Sequence, residues 1–162
     1  MSAWSNGALL DPGQVYRKAA DYCAVQDRCI SEIQLKLKSW SIDTGIISST
    51  IEKLIDEGFL DEKRFALNYA GGKFRINGWG RLKIAAGLRA RSVPASLVQQ
   101  ALSTLDNDAY ILFLNTLLFK KLKQLGGNTS ENRKKAAFFA ASRGFEMGLI
   151  AAQLRDNEIT DL

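Results

Sequence analysis

Along the chain, apolar residues recur three, four and seven positions apart with polar residues between them, the stripe expected of amphipathic helices. The stripe itself repeats. Laying Ser39-Trp40-Ser41-Ile42 over Ala90-Arg91-Ser92-Val93, a shift of 51, and over Ser142-Arg143-Gly144-Phe145, a further shift of 52, brings the apolar positions into coincidence. Ile33, Ile84 and Ala136 align, as do Leu37, Leu88 and Ala140. Downstream, Ile46, Leu97 and Leu149 fall together, then Ile47, Val98 and Ile150, then Ile51, Leu102 and Leu154. Each copy therefore reads as one amphipathic helix followed by a second.

Helix starts repeat in the same register. Asp43, Pro94 and Glu146 are each suited to a helix N-terminus, by capping, preset φ or dipole complementarity. The apolar residue before each (Ile42, Val93, Phe145) is placed to staple against Ile47, Val98 or Ile150. A further helix opens every copy after a Leu-Asp pair or its equivalent: Asp11 to Val25, Asp61 to Phe74, and an apolar-rich helix after Leu105-Asp106. Gly71-Gly72 and Gly126-Gly127 follow helical runs and read as terminators or flexible joints. The β-branched stretch Ile42 to Ile51 lacks a period of two and stays helical. The expected fold is all-α, with nine helices in three tandem three-helix repeats forming an elongated, curved array. Its expected parts are a tail over residues 1–10, repeats at 11–60, 61–105 and 106–156, and a tail over 157–162.

Composition narrows the function. The 162 residues are 46% apolar, enough for a packed interior, and no histidine is present to serve as general base or metal ligand. No GxxxxGK[ST] loop, GxSxG elbow or GxGxxG turn occurs, so no catalytic, cofactor or metal-binding residue is assigned and the chain reads as a non-enzyme. Cys23 and Cys29 are six apart, which fits neither a zinc site nor a redox pair, and they read as reduced thiols near a core. The N-terminus lacks the charged start and apolar block of a signal peptide, and the most apolar run, Ala109 to Phe119, is too short to span a bilayer. A cytoplasmic monomer without a membrane role is the expectation. Met147, Phe138, Phe139 and Phe145 read as core residues.

Charge singles out the middle copy. Residues 1–60 carry six Lys/Arg against eight Asp/Glu, residues 61–105 carry eight against two, and residues 106–162 carry eight against seven. From Lys63 to Leu105 there is no carboxylate at all, while Lys73, Arg75, Arg81, Lys83, Arg89 and Arg91 fall within nineteen residues. Isolated lysines and arginines mostly solvate exposed helix faces. A block this dense without counter-charge attracts polyanions, meaning nucleic-acid phosphate or an acidic protein surface. Trp79, between Gly78 and Gly80, suits either stacking on a base or partner, or anchoring a core at a helix start. Lys120, Lys121 and Lys123, with Arg133, Lys134 and Lys135, form a smaller basic cluster.

The stretch Asp56-Glu57-Gly58-Phe59-Leu60-Asp61-Glu62-Lys63-Arg64-Phe65-Ala66, followed from Gly78 by GWGRLKIAAGLRARSVPASLVQQAL, resembles the RecX family of regulators of bacterial recombination. The resemblance is strongest from Tyr16 to about Leu105 and reaches the last copy through the repeat pattern; Trp79-Gly80 departs from the family's commoner basic segment. It implies a modulator, not an enzyme, that binds the RecA filament on DNA, restrains ATPase and strand exchange, and acts in recombinational repair and the SOS response. Carried over residue by residue, Arg64, Lys73, Arg75, Arg81, Lys83, Arg89 and Arg91 are the expected electrostatic contacts to RecA or to single- or double-stranded DNA; Trp79, singled out by its own place between two glycines and not by the resemblance, is the further expected contact. Leu60 and Phe65 are expected to pack between helices. The competing readings are a stand-alone DNA-binding protein, with a helix of the middle copy in the major groove, and a scaffold with no nucleic-acid role.

Overall fold

The computed structural model describes residues 9–156, so residues 1–8 of the expected N-terminal tail and the whole of the expected C-terminal tail, 157–162, lie outside the described residues. Among the described residues there are nine α-helices and no strand. In chain order they are α1 (Pro12–Val25), α2 (Ile30–Ser39), α3 (Thr44–Asp56), α4 (Glu62–Arg75), α5 (Arg81–Ala90), α6 (Ala95–Ser103), α7 (Asn107–Leu125), α8 (Ser130–Ser142) and α9 (Met147–Asp156). None is long and apolar enough to cross a membrane. The described residues divide into two compact units, one ending at Phe65 and the other beginning at Ala66, with the division inside α4.

The first unit is built on α1, α2 and α3. Asp11 caps α1 by a reciprocal pair: its carboxylate accepts from the Gln14 amide at 2.8 Å, and the Gln14 side chain accepts from the Asp11 amide at 3.0 Å. Asp43 caps α3 by accepting from the Gly45 amide at 2.9 Å. Val15, Ala19, Ile33, Leu37, Ile47 and Leu54 meet in one core, with Leu60 and Phe65 also buried. Cys23 and Cys29 are buried and form no disulfide, and burial pushes the Cys23 thiol up despite Arg28 and Arg64 nearby.

The second unit holds the rest of α4 and helices α5 to α9. Ile84, Leu88, Val98, Leu114, Leu122, Ala140 and Ile150 are essentially inaccessible, and Phe74, Tyr110, Phe113 and Phe145 form an aromatic cluster with ring centroids 5.1–6.0 Å apart. Fully buried Leu88 gives a direct check. A Leu88→Ala protein should lose about 2–5 kcal/mol of stability in a urea titration, the range for a leucine-sized cavity; an unchanged midpoint would remove it from the core.

The repeat is also written in the backbone. At the end of α2, α5 and α8, one residue takes a left-handed conformation: Ser41 (φ 59°), Ser92 (φ 58°) and Gly144 (φ 94°). The apolar residue that follows donates its amide back across the helix end, Ile42 to Leu37, Val93 to Leu88 and Phe145 to Ala140, at 3.2–3.3 Å. This is the Schellman closure, met three times at the alignment shifts of 51 and 52.

Two expectations are corrected. Gly71-Gly72 does not end a helix but sits inside α4. Two helical glycines cost about 1 kcal/mol each relative to alanine, yet the flanking Ala70 and Phe74 are buried and hold the helix through the pair. Gly126 and Gly127 do end α7, both at positive φ. Phe138 and Met147 are not core: they are 79% and 57% exposed, whereas Phe145 is fully buried and Phe139 is half-buried under Lys121 and Arg143.

Candidate functional site

Within the second unit, part of the basic block is drawn into one row of alternating cations and rings. The end of α4 sets it up. Gly78, at φ 65°, turns the chain so that the Trp79 amide donates to the Lys73 carbonyl at 3.0 Å. That closure holds the indole beside α4, and the Lys73 and Lys83 ammonium groups lie 4.7 and 4.6 Å from its ring centroid. Lys73 also lies 5.4 Å from the ring of Tyr69, one turn earlier on α4, and the Arg91 guanidinium lies 5.1 Å from that ring. Lys83 and Gly87 on α5 and its C-cap residue Arg91 follow one another at four-residue spacing.

Gly87 makes the row possible. A Cβ there would stand 2.1 Å from the Tyr69 hydroxyl, so any side chain would push Tyr69 off α5. Arg91 Nη1 donates to the Gly87 carbonyl at 3.0 Å and to the Tyr69 hydroxyl at 3.4 Å. Tyr69 and Gly87 escaped the reading of the sequence. The signal for Tyr69 was an aromatic one turn before a lysine in a carboxylate-free run; for Gly87 no local signal exists.

The other expected contacts are placed differently. Arg81 points into the unit, not along the row. Its guanidinium stacks 3.8 Å from the Tyr110 ring centroid, pairs with Glu146 at 3.0 Å and donates to the Asn107 side chain at 3.1 Å. The Tyr110 hydroxyl completes this lock, accepting from the Arg81 amide at 2.9 Å and donating to Glu146 at 2.5 Å. Burial, and then the Glu146 carboxylate, hold the Tyr110 phenol above its ordinary value, so it stays a donor throughout the physiological range. Arg64, in the first unit, pairs with Asp27 at 2.9 Å and donates to the Gly58 carbonyl at 3.3 Å. There it braces the turn between α3 and α4. Arg75 folds back over Gly71, and Arg89 is exposed on α5.

What remains is a strip of Tyr69, Lys73, Trp79, Lys83 and Arg91. Neighbouring rings take up part of each cation's environment and fix its position, and the sequence from Lys63 to Leu105 contains no carboxylate. Cations interleaved with rings are the groups that suit an extended anion, the charges by attraction and the rings by offering faces for stacking.

Comparison with known proteins adds to this geometry. Residues 61–102, which contain the whole strip, match the family model described as RecX, second three-helix domain. A protein of Pelodictyon phaeoclathratiforme named regulatory protein RecX is 31% identical over 125 residues, covering 76% of each chain. One of Prosthecochloris aestuarii with the same name is 29% identical over 144 residues, covering 89% of this chain and 93% of its own. The crystal structure of RecX from Lactobacillus salivarius superposes with a TM-score of 0.85 at 22% identity, over 92% of this chain and 97% of that one, which shows a shared fold.

Proposed function

The chain belongs to the RecX family of regulatory proteins, and on that premise we propose that it is a non-catalytic modulator of homologous recombination that binds the RecA–DNA filament and restrains its ATPase and strand-exchange activities. The observation that carries this reading is the basic and aromatic strip of Tyr69, Lys73, Trp79, Lys83 and Arg91, whose charge and rings suit a polyanion, on the copy that the family model matches. Lys73, Trp79, Lys83 and Arg91 are the direct contacts in this proposal, with Arg75 and Arg89 as exposed electrostatic support. Arg64 and Arg81 act through position: each is committed to a carboxylate of its own unit. Activity through binding alone is consistent with a chain that carries no phosphate-binding loop.

An ATPase titration of RecA on single-stranded DNA, paired with co-sedimentation of the filaments, tests the proposal. The full chain should lower hydrolysis, pellet with the filaments and hydrolyse no ATP by itself. Inhibition well below one copy per RecA subunit would indicate blocked filament growth; a requirement for one copy per few subunits would indicate coating. Undiminished hydrolysis at molar excess and low salt overturns the reading. Salt-sensitive binding to naked DNA without any effect on RecA would establish the stand-alone DNA-binding alternative instead.

A further inference from the structure

The third copy carries an open groove. It runs between α8 and α9 with a volume of about 480 Å³. Its floor is Met147, Ile150, Ala151 and Leu154 of α9, at the three-, four- and seven-residue spacing of a helix face that meets another helix, with Ala137 opposite on α8. Helix α7 packs against both α8 and α9, yet the groove stays open, with Met147 57% exposed. Its rim is cationic: Arg133 and Lys134 in the first turns of α8, and Arg155 in the last turn of α9. The nearest acid on α8, Glu131, is paired with Lys135 at 3.4 Å.

The repeat supplies its own control. Positions Ala137, Met147, Ala151 and Arg155 correspond by the shifts of 52 and 51 to Ala85, Ala95, Gln99 and Ser103 in the second copy, and to Gln34, Thr44, Ser48 and Glu52 in the first. All four in the first copy are exposed and polar, a solvated face. In the third copy the same face has become apolar along its floor and has exchanged a carboxylate for a guanidinium at its end. Core packing does not require this, because the buried position between them, Ile47, Val98 or Ile150, is apolar in every copy.

We propose that the α8–α9 groove is a docking site for an acidic amphipathic helix of a partner protein. The floor takes apolar side chains at i, i+3 or i+4, and i+7, over two turns or about 10 Å of partner helix. Arg133, Lys134 and Arg155 pair with carboxylates flanking that stripe, which selects an acidic partner helix over a basic one. This site is separate from the strip of Lys73, Trp79 and Lys83 and does not depend on what that strip binds.

The full chain is titrated by fluorescence anisotropy against three labelled peptides: a helical Leu/Glu peptide with leucines at i, i+3, i+4 and i+7, its Leu/Lys counterpart, and a scrambled Leu/Glu sequence. The patterned acidic peptide should bind, weakening with salt, and the other two should not. Arg133→Glu with Arg155→Glu should weaken binding by about tenfold or more, through the charge term. Met147→Thr with Ala151→Gln, which installs residue types the other copies carry, should also weaken it severalfold at unchanged helicity. Five results overturn the proposal. They are absence of binding, equal binding of the scrambled peptide, and equal loss on reversing Lys73 and Lys83. The other two are self-association of the chain that Ala151→Gln removes, which makes a second copy the occupant, and peptide binding seen only after removal of residues 157–162, which makes that segment the occupant.

Discussion

A Gly80→Ala protein should be less stable by about 3 kcal/mol or more, the combined scale of overpacking and of two displaced backbone hydrogen bonds. Gly80 has an ordinary φ of −79°, so the effect is one of space. A Cβ at this position would stand 2.3 Å from the Gly144 carbonyl carbon and 2.4 Å from its oxygen. Backbone meets backbone there, and neither can swing aside. The approach exists because α5 has no side-chain cap, and elements of the third copy satisfy its first amides. Gly80 donates to the Arg143 carbonyl at 2.8 Å, Leu82 to the Gly144 carbonyl at 2.9 Å, and Arg81 to the Tyr110 hydroxyl at 2.9 Å. Pushing these strands of chain apart exposes donors that were paired and loosens the aromatic cluster behind them. Urea denaturation followed by near-ultraviolet circular dichroism measures the loss. Gly72→Ala is the control: its Cβ meets nothing within 4 Å inside α4, so it should stabilise by about 0.5–1 kcal/mol. Equal midpoints for Gly80→Ala and wild type would show that the second and third copies have room to separate.

That contact marks where the sequence stops being informative. The helices were legible because the core repeats: Ile33, Ile84 and Ala136, and then Leu37, Leu88 and Ala140, are all fully buried where the alignment put them. Capping was legible because it is local, as with Asp11, Asp43 and Asp106. The fate of individual arginines was not. Arg81 is held by residues 26, 29 and 65 positions away, and Arg64 by one 37 away. No count of charges within a window separates those two from Lys73 or Lys83. Phe138 was misplaced for a related reason: in the run Ala136 to Ala141 every residue is apolar, so periodicity cannot say which face is inward. The buried alanines, Ala136 and Ala140, proved to be the core side, and the larger Phe138 faces out.

Reversing Lys73 and Lys83 together to glutamate should cut binding to RecA–DNA filaments by tenfold or more at low salt, in line with the scale of charge complementarity at interfaces. The change takes residues 61–105 from a net charge of +6 to +2, since each substitution shifts the balance by two. If both lysines meet phosphate, the slope of log affinity against log salt should fall by about two. Stability should change little, because each ammonium over a half-buried ring contributes only about 1 kcal/mol. Arg81→Glu makes the opposite contrast. Its side chain is only 23% exposed, and the reversal places two carboxylates together beside Tyr110. Breaking a buried pair costs 3–5 kcal/mol, and the partial exposure here reduces that to about 2 kcal/mol. Filament affinity of the folded Arg81→Glu protein should stay near wild type, because that side chain is turned away from the strip. A charge-matched Lys36→Glu, Lys38→Glu protein in the first unit separates surface from net charge. Were it to lose as much binding as the Lys73, Lys83 reversal, or were Arg81→Glu to lose more, the strip would not be the contact surface.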